Sequence, residues 1–145
     1  MTSSGCACPA GFSRCAGRCL KRLEVEANFT EAESQCAAQG AHLAVPRSDE
    51  ENQCAMNASG GVRVWLGLTD VITEGQFVGA DGCGTVSSSS PHWAYNQPND
   101  FKNQDFVCLV PFSDDPWNAG WQDHYPDEVM LALCQLPSCY QIDCP

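Results

Sequence analysis

Eleven cysteines in 145 residues constrain this chain more than any other feature. No C-x-x-C…C-x-x-C or C…H-x-x-x-H spacing is present to make them zinc ligands, so they read as disulfides formed in an oxidising compartment. Cys6, Cys8, Cys15 and Cys19 fall among Pro9, Gly11 and Gly17. That composition predicts a turn-rich, stapled hairpin over residues 1–20. Residues 136–145 form a second cysteine-containing segment, with Cys139 and Cys144.

The charge balance excludes some partners. Seven Lys and Arg against eighteen Asp and Glu give a formal charge of −11, which repels phosphate backbones and anionic membrane surfaces unless a cation intervenes. Nucleic acid is therefore not an expected partner. No apolar run approaches the roughly 20 residues of a membrane span, so membrane insertion is not expected. Met1 to Gly5 is not a hydrophobic signal segment, and the reading is a secreted chain with its targeting peptide removed. Two acceptor sequons, Asn28-Phe29-Thr30 and Asn57-Ala58-Ser59, agree with secretion. The length fits one domain, residues 1–145, able to bury a core.

Along the chain, Thr30 and Glu33 have the spacing of a capping box and Gly40 supplies a stop, predicting a helix from Thr30 to Gln39. Ser48 and Glu51 repeat that spacing, with Asp49 and Glu50 suited to the positive end of the helix dipole, predicting a second helix to about Met56. From Val62 onward, short alternating or apolar stretches predict strands: Val62 to Leu66, Phe77-Val78, Phe106 to Val110 and Val129 to Leu133. Between Gly79 and Asp105 lies a polar span with Gly82, Gly84, four serines from Ser87, Pro91 and Pro98. It is too long for an ordinary connection, and structured loops of this kind carry function.

These residues together resemble the C-type lectin-like domain. Cys8-Pro9-Ala10-Gly11-Phe12 and Cys19 resemble its N-terminal hairpin. Phe29-Thr30-Glu31-Ala32-Glu33 through Cys36, then Gly40-Ala41-His42-Leu43-Ala44, resemble its first helix and exit, and Ser48 to Asn52 its second helix. Trp65-Leu66-Gly67-Leu68-Thr69-Asp70, Thr73-Glu74-Gly75-Gln76-Phe77, Trp93, Gln97-Pro98-Asn99-Asp100, Trp121-Gln122-Asp123 and Cys134 follow in the family's order. The resemblance implies an α+β fold in which two helices flank antiparallel sheets and a long loop holds calcium and ligand. It implies a Cys36–Cys134 bridge, worth on the order of 4–5 kcal/mol for so long a loop, and a Cys8–Cys19 hairpin bridge. The family's second core disulfide is absent as a pair, its two positions falling on Phe106 and Pro126.

Calcium takes six to eight oxygen ligands, several of them carboxylates. By resemblance Asp70, Glu74, Asp100 and Asp105 are the structural calcium ligands. The second family site, where calcium also grips two vicinal sugar hydroxyls, falls on Gln97, Asn99, Gln104, Gln122 and Asp123. Among these Asp123 alone brings formal charge, so calcium there is expected to be loose, or absent without sugar. Asp105 is an alternative to Gln104 if the loop shifts by one residue. Family members with Glu-Pro-Asn take mannose-type sugars and those with Gln-Pro-Asp galactose-type sugars. Gln97-Pro98-Asn99 is a hybrid whose two amides allow either hydrogen-bond order. Phe101 stands near where galactose binders set an aromatic ring against the sugar, although a loop anchor packed into the core is an equal reading. This tips the expectation to terminal galactose or N-acetylgalactosamine. His124 and Tyr125 follow Asp123 and border the same site.

Beyond Cys36, Cys134, Cys8 and Cys19 an odd seven cysteines remain, so at least one lacks an intramolecular partner. It is either an interchain bond, with Cys6, Cys139 or Cys144 in the terminal segments favoured, or a buried thiol. The expected function is a calcium-dependent, galactose-type glycan binder acting as a disulfide-linked homodimer, since pairing converts weak single sites to avidity. The alternative is a lectin-like domain without sugar chemistry that binds a protein, ice or mineral surface. No nucleophile with its base is legible, and an enzyme is not expected.

Overall fold

The computed structural model describes residues 8–87, 89–98 and 104–137. Its elements in chain order are β1 (Ser13–Cys15), β2 (Arg18–Arg22), α1 (Phe29–Ala38), β3 (His42–Leu43), α2 (Asp49–Ala58), β4 (Val64–Thr69), β5 (Phe77–Gly79), β6 (Thr85–Val86), β7 (Phe106–Val110), β8 (Gly120–His124) and β9 (Leu131–Leu136). No described helix is long and apolar enough to cross a membrane.

Strand β9 organises the sheet. Its first residues run parallel to β4, pairing Leu131 with Val64 and Ala132 with Trp65. Its later residues run antiparallel to β2, from Leu133 opposite Arg22 to Leu136 opposite Cys19, and β3 pairs with it at Cys134 and Gln135. The N-terminal hairpin β1–β2 is thus closed onto the last strand. On the other side β4 pairs antiparallel with β5 and β7, and β7 with β8 in the register Phe106–His124 to Val110–Gly120. Strand β8 has no clean apolar alternation, because Gln122 and His124 point to a polar surface while Trp121 and Asp123 are buried.

Helix α1 starts earlier than the Thr30 reading. Asn28 is the N-cap: its side-chain oxygen accepts from the Glu31 N–H, and the Glu31 carboxylate accepts from the Asn28 N–H. Asparagine caps as well as threonine, and the shift by two residues turns Phe29 into the core, where its ring meets Trp65 edge-on at 5.4 Å. For α2 the Ser48 oxygen accepts the Glu51 N–H, but the Glu51 carboxylate reaches Arg47 N instead of closing the box.

Two buried clusters share the strands. One gathers Leu66, Leu68, Phe77, Val107, Leu109, Trp121 and Leu133 under α2. The other gathers Phe29, Ala32, Cys36, Leu43, Trp65, Val110 and Cys134 under α1. Trp65 and Trp121 are fully buried, whereas Trp93 is half-buried and packs edge-on against Trp121. Trp117 is 88% exposed. The empty positions of the family's second disulfide are bridged without sulfur: the Phe29 ring lies 4.7 Å from Phe106 and the Phe29 N–H donates to Pro126 O.

Cys8 is bonded to Cys19 and Cys36 to Cys134, the latter closing a separation of 98 residues. A third bridge, Cys15–Cys54, ties β1 to α2. Cys83 is disulfide-bonded as well. Cys108, on β7 opposite Trp65, is a buried free thiol. It accounts for the odd cysteine count without an interchain bond. Cys6, Cys139 and Cys144 lie outside the described residues.

Candidate functional site

One edge of the sheet collects the end of β4, the start of β7 and the end of β8, because β4–β7 and β7–β8 are both antiparallel. Thr69 is paired with Phe106, so the next residue outward on one strand, Asp70, meets the preceding residue on the other, Asp105; the Asp70 N–H donates to Asp105 O at 3.1 Å. The chain then turns through Thr73 to Gln76, with Gly75 at φ +83°, and the Gly75 N–H donates to Asp70 Oδ2 at 2.9 Å. That turn carries Glu74 back over Asp70.

The result is a three-carboxylate cluster: Asp70, Glu74 and Asp105 each present an oxygen, all within 4.8 Å of one another. Asp70 is 2% exposed, and its Oδ1 is buried with no hydrogen-bond partner among the described residues. Burial raises the Asp70 carboxyl to about 6, with the facing Glu74 carboxyl adding to the rise and the Gly75 N–H and Asp105 opposing it. A buried anion crowded by like charge, with an oxygen aimed at nothing, is costly in a protein alone. A hard dication removes that cost, so these residues fit calcium. Bound there, calcium would tie the start of the long loop to β7.

The loop returns to the sheet along β8. Trp121 N–H donates to His92 O and Ala94 N–H to Trp121 O, docking the loop on β8. This close approach requires Gly120, since a Cβ there would meet His92 O at 2.8 Å and its φ is +121°. Gln97, before a cis bond to Pro98, is thereby set against β8, and its Oε1 accepts the Asp123 N–H at 3.3 Å. Asp123 is 1% exposed. Gln104 is half-buried next to Asp105. Gln122 is half-buried: its Nε2 donates to Asn118 O at 2.9 Å and its Oε1 lies 2.8 Å from His124 Nε2. Asn99, Asp100 and Phe101 lie outside the described residues.

A feature that sequence reading missed supports the loop from its far side. Arg47 holds Asp81 by two bonds of 2.7 and 2.8 Å and also donates to Gly84 O at 2.9 Å. Burial pushes the Asp81 carboxyl up, but the guanidinium and the Cys83 N–H outweigh it and hold the group below the usual carboxylate range. Nothing in the spacing of Arg47 and Asp81 signals the pair, because it joins the entry of α2 to the β5–β6 turn.

Known proteins carry the same pattern. The family described as Lectin C-type domain matches residues 25–136. Lectin BRA-3 of Megabalanus rosa is 29% identical over 149 residues, covering 100% of this chain and 86% of its own. Asialoglycoprotein receptor 2 of Rattus norvegicus is 27% identical, covering 88% of this chain and 42% of its own. Among solved structures, the carbohydrate-recognition domain of mouse scavenger receptor C-type lectin superposes with TM-score 0.77 at 24% identity, covering 93% of this chain and 99% of that one. A calcium-independent type II antifreeze protein superposes with TM-score 0.75 at 23% identity, covering 90% and 94%. With two capped helices, a sheet centred on its last strand and a carboxylate cluster at the loop root already in place, the match over residues 25–136 settles the family: this chain belongs to the C-type lectin domain family.

Proposed function

We propose that this domain is a calcium-dependent carbohydrate-binding lectin that recognises terminal galactose or N-acetylgalactosamine. The observation that carries the reading is the Asp70, Glu74 and Asp105 cluster, with its buried, unpartnered Asp70 Oδ1 at the root of the loop that bears Gln97. Calcium held there, with Asp100 as a further ligand, keeps the loop in the shape that presents Gln97, Asn99, Phe101, Gln104 and Asp123 to the sugar. Relatives named as a lectin and as an asialoglycoprotein receptor support glycans as the ligand class. Disulfides support an extracellular setting. A disulfide-linked pair through Cys6, Cys139 or Cys144 would give the avidity that one weak site lacks. The test is retention on immobilised galactose in millimolar calcium and release by a chelator.

A second reading has its own support. Gln97 Oε1 and Gln122 Oε1 both face protein donors, which suits a face that binds a protein, ice or mineral surface directly. Failure to bind galactose, mannose and N-acetylglucosamine matrices in millimolar calcium selects this reading over the first.

A further inference from the structure

We infer that Asn57 is an attachment site for an N-linked glycan, added before α2 closes and left at the end of the sheet opposite the Asp70 cluster. The inference rests on passage through an oxidising secretory compartment, the setting the disulfides support, and not on the sugar reading. Asn57-Ala58-Ser59 is an acceptor sequence. Asn57 lies in the last turn of α2 and is exposed. Its Oδ1 accepts from Nε2 of Gln53, one turn earlier and also exposed, at 3.1 Å. That contact uses the carbonyl oxygen of the carboxamide, whereas a glycan takes the nitrogen, so the two coexist. Asn28, the asparagine of the other acceptor sequence, is half-buried and holds the α1 cap. Of the two, Asn57 is the exposed one.

The transfer forms a bond from Asn57 Nδ2 to the anomeric carbon of an oligosaccharide and breaks that carbon's bond to a lipid pyrophosphate, the donor class. The pyrophosphate leaves with the bonding electrons and the amide nitrogen loses one proton, so no oxidant or reductant enters. The acceptor sequence needs the hydroxyl of its third residue, and here that hydroxyl is out of reach once α2 has formed. Ser59 is 0% exposed, its Oγ donates to Met56 O at 2.7 Å, and its backbone O accepts from Arg22 Nη1 at 2.7 Å. Cys54, three residues before Asn57, is bonded to Cys15 and pins the same helix to β1. Modification therefore precedes closure of α2, and the folded chain is not a substrate. The finished glycan leaves the loop root open. From Asn57 the chain runs through Gly60 and Gly61 to the start of β4 at Val64, and Asp70 follows the end of β4, roughly 20 Å along the strand from Val64.

The test uses Thr30→Ala, which removes the Asn28 acceptor sequence and keeps the capping side chain, in the whole chain directed into the secretory path of animal cells. The secreted protein is expected to run heavier than its polypeptide mass and to collapse to that mass after peptide-N-glycosidase. Digestion in heavy-oxygen water is expected to place the labelled aspartate at position 57. Asn57→Gln in the same background is expected to lose the heavier form completely, and its melting temperature should match that of the deglycosylated protein, since the side chain is exposed. In a second arm the chain made in bacteria is given to detergent-solubilised oligosaccharyl transferase with its lipid-linked donor. The reduced, unfolded chain is expected to be modified at Asn57 and the oxidised, folded chain to remain bare. Asn57 bare in the secreted protein or in the unfolded chain, or equal modification of folded and unfolded chain, overturns the inference. Retention on galactose is read separately, and neither result decides the other.

Discussion

The Arg47 guanidinium donates from Nε and one Nη to the two oxygens of the Asp81 carboxylate, at 2.7 and 2.8 Å, and both side chains are nearly buried, 7% and 12% exposed. Paired charges out of water are tolerated only together. Arg47→Ala should strand the Asp81 carboxylate and destabilise the fold by about 3 kcal/mol. Arg47→Lys should recover only part of this, since one ammonium cannot match both oxygens. Chemical unfolding measures both, and an alanine variant within experimental error of wild type would show that the pair does not anchor the loop.

The Asp70 carboxyl gives a pH dependence whose sign depends on calcium. Its folded value near 6 lies above the unfolded value near 4, so the folded chain holds that proton more tightly. Without metal, stability should therefore fall as pH rises from about 4 to 6, by about 2–3 kcal/mol for this group. In millimolar calcium the ion competes with the proton, and stability should instead rise over the same window. Melting curves from pH 4 to 8 in chelator and in calcium check this, with Asp70→Asn removing the difference. Superimposable curves in the two buffers would remove the cluster as an ion site.

How much of this was legible in the sequence varies with the range of the interaction. The pattern from Trp65 to Asp70, with Glu74, reads locally, and Asp70 and Glu74 sit on one turn closed by the Gly75 N–H. Asp105 joins them through strand pairing, which the resemblance supplied and local pattern did not. The α1 cap lies two residues before Thr30, and the helix one residue earlier, because Thr30-x-x-Glu33 and Asn28-x-x-Glu31 are equally good capping boxes; burial of Phe29 decides between them, and burial is a tertiary property. The Cys15–Cys54 bridge and the hydrogen-bonded chain Asn118–Gln122–His124–Glu128 were invisible for the same reason: each depends on where a loop or strand end lands.

The buried Cys108 thiol should be inert in the native protein. It is fully buried, burial pushes its ionisation well above the ordinary thiol range, and the thiolate is the reactive form. Alkylation followed by peptide mapping should label Cys108 only after unfolding. Non-reducing electrophoresis beside a reduced sample then tests the covalent pair separately, since the parity of the cysteines no longer requires one. Native labelling of Cys108 would mean that β7 opens readily.

Restoring an acid on the sugar face tests where the second cation position lies. Asn99→Asp would turn Gln97-Pro98-Asn99 into the Gln-Pro-Asp order and add a carboxylate to a proposed set in which Asp123 alone is charged. A carboxylate offsets the dication's lost hydration far better than an amide does. The variant should therefore bind calcium and galactose more tightly than wild type, by on the order of tenfold if the new carboxylate contributes one charge-assisted contact. Calorimetric titration of calcium, then of galactose at saturating calcium, reads both quantities. Unchanged affinity for both would place the sugar-bearing cation away from position 99 and shift the search for it toward Asp105.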